Sequence, residues 1–153
     1  MSILNIVFHP DPLLRETSQV IDEVNDSVRQ LARDMFETMD AHQGIGLAAP
    51  QVGILDRILV VGVKSRRLVL INPELLSVDG SEEMAEGCLS IPNIHVDVTR
   101  PSVIRVRALD EFGQVQEYQE SGLLARVIQH EMDHLNGVLI IDKGPAYQDD
   151  GDV

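Results

Sequence analysis

The sequence predicts an α+β fold: a mostly antiparallel sheet packed around a central helix that bears an HExxH motif, with a second helix near the N-terminus. Three observations support this. Apolar residues recur at helical spacing in two stretches, one through Val28, Leu31, Ala32, Met35 and Met39, the other through Leu124, Val127, Ile128 and Leu135. Short strand-like runs lie between them, bounded by turn residues. At 153 residues the chain suits one domain with a real core but not two, so these elements must share that core.

Taken in order, residues 3–20 contain His9-Pro10-Asp11-Pro12, too proline-rich for a helix, and read as an extended, turning strap. A helix starts near Asn25 or Ser27, either of which can cap it; Ser27 with Gln30 three residues on has the pattern of a capping box. Its apolar stripe reads as ordinary core. Residues 44–51, with two glycines and a proline, break the pattern and form a shaped loop. Strands are expected over residues 57–63, 68–72, 103–109 and 114–119, with residues 110–113 as the turn between the last two. The second helix opens near Gly122 and ends at Asn136-Gly137, where Gly137 suits a left-handed closing position. Residues 139–142 either extend it or return to the sheet.

Composition narrows the function. Neutralising phosphates takes clustered Lys and Arg, so a formal net charge of −13 argues against direct nucleic-acid binding. No basic segment followed by an apolar run opens the chain, and no apolar stretch is long enough to span a bilayer, so neither a signal nor a membrane partner is expected. The lone Cys88 excludes an internal disulfide and fits a reducing, cytoplasmic setting. Asp149-Asp150-Gly151-Asp152 reads as a solvated end, giving a single domain over residues 1–153 with a flexible acidic tail from about 144.

The chemistry concentrates at His130-Glu131-Met132-Asp133-His134. HExxH on a helix sets two imidazoles one turn apart on one face, so both can reach one metal ion. Glu131 adjoins the first ligand and can take a proton from an attacking water and deliver it to a leaving amine. Alone, the motif could also be two surface histidines on an amphipathic helix. A catalytic site normally needs a third protein ligand. No residue after His134 is His or Glu, so that ligand must come from upstream. Cys88, His42, His95, His9 and the carboxylates are candidates; Cys88 is the strongest, because thiolate is a strong ligand and the neighbouring Gly87 allows close backbone approach.

Gly44-Ile45-Gly46-Leu47-Ala48-Ala49-Pro50-Gln51, Glu86-Gly87-Cys88-Leu89-Ser90 and Gln129-His130-Glu131-Met132-Asp133-His134 together resemble the three motifs of peptide deformylases, in that family's order and at its usual separations. The resemblance extends to residues 34–39 and 105–110 and runs from about residue 3 to 142. It implies an enzyme that removes the formyl group from N-terminal formyl-methionine of nascent peptides, releasing formate. By similarity Cys88, His130 and His134 hold the metal and Glu131 is the general acid/base. The Gln51 side-chain amide and the Leu89 backbone N–H would stabilise the oxyanion, a task suited to donors that do not themselves ionise. Gly44 and Gly46 would let the substrate backbone lie close as an added strand, with Ile45 contributing apolar wall. The methionine side chain would enter a pocket of Met84, Leu123, Val127 and Ile45. Arg126 lies near that helical face, either rimming the pocket or reaching solvent. Glu86 would pair with Arg100 and brace the Cys88 loop.

The resemblance implies one divalent ion, natively Fe²⁺, with Zn²⁺, Ni²⁺ or Co²⁺ able to substitute, and oxygen sensitivity. Partners are then formyl-methionyl nascent peptides, met by a monomer. Many family members carry a long basic C-terminal helix implicated in ribosome contact; here an acidic end follows residue 142 instead, leaving only transient ribosome association without that helix. Short forms, including phage-encoded ones, occur in the family, so the setting is a bacterial or a phage host's cytoplasm. His95 stands near a position where the family often has a basic substrate-contacting residue, and the sequence leaves its role open. Two other readings compete: a general HExxH metallopeptidase cutting internal bonds, and a non-catalytic homologue that only binds metal or peptide. Retention of Glu131 and Gln51 beside all three ligands argues against the second.

Overall fold

The computed structural model describes residues 2–148. Two α-helices, α1 (Asp26–Ala41) and α2 (Gly122–Leu135), pack with eight strands: β1 (Gly46–Ala48), β2 (Ile58–Val63), β3 (Arg66–Asp79), β4 (Glu82–Cys88), β5 (Ile91–Arg100), β6 (Val103–Leu109), β7 (Val115–Ser121) and β8 (Ala146–Gln148). They form a five-stranded sheet in the order β1-β2-β3-β6-β7 and a three-stranded sheet in the order β4-β5-β8. Every pairing between these strands is antiparallel. Among the described residues no helix is long and apolar enough to cross a membrane.

The two helices lie on opposite faces of the five-stranded sheet, and β2 shows why. Successive strand residues point to opposite faces. Leu59 and Val61 join Leu124, Val127 and Ile128 of α2, whereas Ile58 and Val60 join Met35 and Met39 of α1. A strand covered on both sides must be apolar throughout. Burying each such side chain contributes roughly 1.5–3 kcal/mol. A third apolar cluster, with Leu14, Ile91, Val96, Val98, Leu139 and Ile140, sits under the three-stranded sheet and does not include α2.

The cap of α1 is Asn25, whose side chain accepts from the Val28 N–H at 3.1 Å. The expected Ser27 capping box does not form: Ser27 lies inside the helix, and the Gln30 side chain donates instead to Asp34. The loop expected over residues 44–51 contains β1, followed by a 3₁₀ turn over Ala49–Val52. The strand expected over residues 68–72 lies in the first half of the 14-residue β3, whose irregularities after Ile71 and Leu75 let one end serve β2 and the other β6. Residues 139–142 neither prolong α2 nor rejoin the sheet, since Ile140–Asp142 is a 3₁₀ turn. Residues 146–148, assigned from the sequence to a flexible tail, pair with β5 as β8; residues 149–153 lie outside the described residues.

Gly137 closes α2 with φ 73°, and a Cβ there would stand 2.3 Å from the Arg15 carbonyl oxygen. Left-handed backbone alone costs a non-glycine residue about 1–3 kcal/mol. Gly137→Ala should therefore lower the thermal midpoint by roughly 5 °C or more. An unchanged melting curve would show that the strap and the helix end separate freely.

Candidate metal centre

His130 and His134 stand one turn apart on α2, both buried, with ring centroids 5.2 Å apart. Cys88 is brought to them from the end of β4. There the register with β5 shifts so that Cys88 faces Ile91 across the Leu89-Ser90 turn. The Sγ of Cys88 lies 3.3 Å from Nε2 of His134, and one ligand atom from each of the three residues falls within 4.8 Å of the others. Bond lengths of about 2.0–2.3 Å to one tetrahedral ion require ligand atoms roughly 3.5 Å apart, so the set fits a single metal. Among the described residues no other such group is present. Of the alternative third ligands, His95 lines the adjoining cavity without joining this group, and His9 and His42 are not on its walls.

The orientation of His130 is set from behind. Its Nδ1 bonds Oε1 of Glu86 at 2.9 Å, leaving Nε2 for a metal. Glu86 is in turn gripped by Arg100, at 2.6 Å through Nε and 2.9 Å through Nη2, and the remaining arm of Arg100 reaches Asp133 at 2.8 Å. Burial pushes the Glu86 carboxyl up, but hydrogen bonds from His130 and Arg100 outweigh it and hold the group down at about 2. The expected Glu86–Arg100 pair is thus present and buried, where such a brace has force. Arg126 lines the adjoining cavity and does not reach solvent. It is buried against Glu86, because its guanidinium finds acceptors across the cleft.

Glu131 is buried, and its Oε1 has no hydrogen-bond partner among the described residues. Burial pushes its carboxyl up to about 7, against the opposing pull of His130. The Ala48 N–H donates to Oε1 of Gln51 at 2.9 Å, which turns the amide nitrogen toward Cys88 Sγ, 3.5 Å away, and Ser90 Oγ, 3.2 Å away. Gly46 admits no side chain: a Cβ would meet Val127 Cγ1 at 2.6 Å and Glu131 Oε2 at 2.7 Å.

A cavity of about 430 Å³ opens beside this group. Its walls include Gly44, Ile45, Gly46 and Gln51 from the first motif, Met84, Glu86, Cys88 and Leu89 from β4 and the following turn, and Leu123, Val127, His130 and Glu131 from α2. Arg100 and His134 stand behind the wall. Sequence reasoning missed Ser90 and Asp133 as partners of Gln51 and Arg100, although both lie inside the quoted motifs. It also missed Asn93 and Ile94, which join His95 in lining the cavity from β5.

A family model described as polypeptide deformylase matches residues 3–149. The chain is 51% identical to a peptide deformylase of Cellvibrio japonicus, over 93% of this chain and 86% of that one. It is 49% identical to the peptide deformylase of Alkalilimnicola ehrlichii, over 93% and 82%. Its structure superposes on the crystal structure of the Thermotoga maritima peptide deformylase with a TM-score of 0.91 at 41% identity, covering 94% of this chain and 98% of the other. On the Synechococcus elongatus peptide deformylase, crystallised in complex with actinonin, the values are 0.90 and 45%, over 93% and 79%. Fold, motifs and relatives agree, and the chain belongs to the polypeptide deformylase family.

Proposed function

We propose that this protein hydrolyses the N-terminal formyl group of formyl-methionyl nascent peptides, releasing formate, at a metal held by Cys88, His130 and His134. The observation that carries the reading is the convergence of a thiol and two imidazoles beside a buried Glu131 oxygen, unpartnered among the described residues, and a Gln51 amide turned toward the same point. A divalent ion, ferrous iron in the native enzyme, would supply Lewis acidity and a hydrolytic water at neutral pH. Zinc, nickel or cobalt would fit the same donors.

The chain's own residues do the rest. Glu131 takes the proton of the attacking water and passes it to the methionine nitrogen as the C–N bond breaks. The Gln51 amide and the Leu89 backbone N–H donate to the oxygen on which charge develops. β1 is an edge strand, so the substrate backbone can add alongside Gly44, Ile45 and Gly46. The methionine side chain occupies the cavity between Ile45, Met84, Leu123 and Val127. Glu86 and Arg100 hold His130 in place. The same reading makes the enzyme a cytoplasmic monomer acting on nascent chains.

The test is formate release from formyl-Met-Ala-Ser by protein prepared without oxygen, with an internally cleavable blocked peptide as the comparison. Formate from the first and no cleavage of the second are expected. Cleavage of the blocked peptide without formate would favour a general metallopeptidase.

A further inference from the structure

The cleft is a seam between two separately packed units. The apolar face of α2 packs on the five-stranded sheet, whereas the three-stranded sheet has its own apolar cluster, and the two clusters share no residue. Polar side chains bridge the gap. At the second turn of α2, Arg126 crosses it with its side chain 5% exposed. Nη1 donates to Glu86 Oε2 at 2.5 Å and to the Val98 carbonyl at 2.9 Å, and Nη2 donates to the Glu82 carbonyl at 2.6 Å. Glu86 is already held by two bonds from Arg100. What Arg126 adds is its grip on two backbone carbonyls, one on β4 and one on β5.

Those carbonyls lie beside Met84 in the β4–β5 ladder. Val98 is the register partner of Met84, and Glu82 lies two residues before Met84 on β4. On the helix, Leu123 and Val127 stand three residues before and one after Arg126. Met84 lines the cavity from one unit, and Leu123, Arg126 and Val127 line it from the other. A planar fork with fixed donor directions sets a separation that a flexible ammonium or a thioether does not. Buried ion pairs contribute little net stability, which leaves positioning as the reason to bury this one.

We infer that Arg126 is a positioning residue that sets the width of the cavity between β4 and α2, and through it the enzyme's selectivity for the N-terminal side chain. This rests on the deformylase reading above. The test compares kcat/KM for formyl-Met-Ala-Ser and formyl-Phe-Ala-Ser in metal-loaded enzyme carrying Arg126→Met or Arg126→Lys. Loosening the seam should cut the preference for methionine by about tenfold in Arg126→Met, the lower end of what one methylene-sized change in a pocket is worth. Arg126→Lys, which keeps a donor, should fall between. A merely structural role would slow both substrates equally, so an unchanged ratio in either folded, metal-loaded variant overturns the inference. Should Arg126→Met not fold, Arg126→Lys decides by the same ratio. No formate from the unsubstituted enzyme with any formyl peptide would overturn the deformylase reading instead.

Discussion

Glu131→Gln should keep its metal and its fold while turnover falls by about 10²–10⁴-fold, the usual worth of a positioned acid/base. The substitution changes little in shape. Glu131 is buried against Gly46, with Oε2 within 2.7 Å of where a Cβ on that glycine would stand, so the amide inherits the same slot. Because Oε1 has no partner among the described residues, no hydrogen bond to it is broken. What disappears is the ability to accept a proton and give it back. Formate release and metal content measured on one preparation separate the two effects. An active variant would exclude Glu131 as the acid/base.

Cys88→Ser has the second large expected effect, and it falls on metal retention. Serine presents a hydroxyl that does not ionise near neutral pH, so the one anionic ligand of the set is lost. Removing a residue behind the ligands typically weakens metal binding by 10–100-fold, and loss of a ligand should exceed about 100-fold. The fold should survive, since Cys88 is only partly buried at the end of β4 and packs at the margin of its apolar cluster. Competition for Zn²⁺ against a chelator of known affinity measures the change. Unaltered affinity would remove Cys88 from the ligand set.

The elements legible in the sequence were those whose pattern is local. Both helices, β2 and β6 follow from periodicity, because one face or both meet a continuous apolar core, whereas β7, with no buried residue, follows from the turn before it. β4 escaped notice because its first four residues are exposed and only Glu86, a charged residue, is buried. β5 was obscured by Pro92 and Asn93 at its start, although Val96, Val98 and Arg100 alternate inward further on. The ligand set and the Glu86–Arg100 pair were reachable through the family resemblance, although Arg100 lies outside its three motifs. Arg126 was not. Its burial depends on Glu86, 40 residues upstream, and on backbone carbonyls whose positions no local pattern reveals. Gly46 gained a second reason. It was expected to admit the substrate backbone, and it also leaves room for the Val127 and Glu131 side chains.

The most direct test of the central claim titrates Fe²⁺ or Co²⁺ anaerobically into metal-stripped protein while following formate release from formyl-Met-Ala-Ser. Activity should rise in proportion to metal and stop rising at one equivalent, in step with the single Cys88-His130-His134 group. Full activity in the stripped protein, or none at saturating metal, would contradict it.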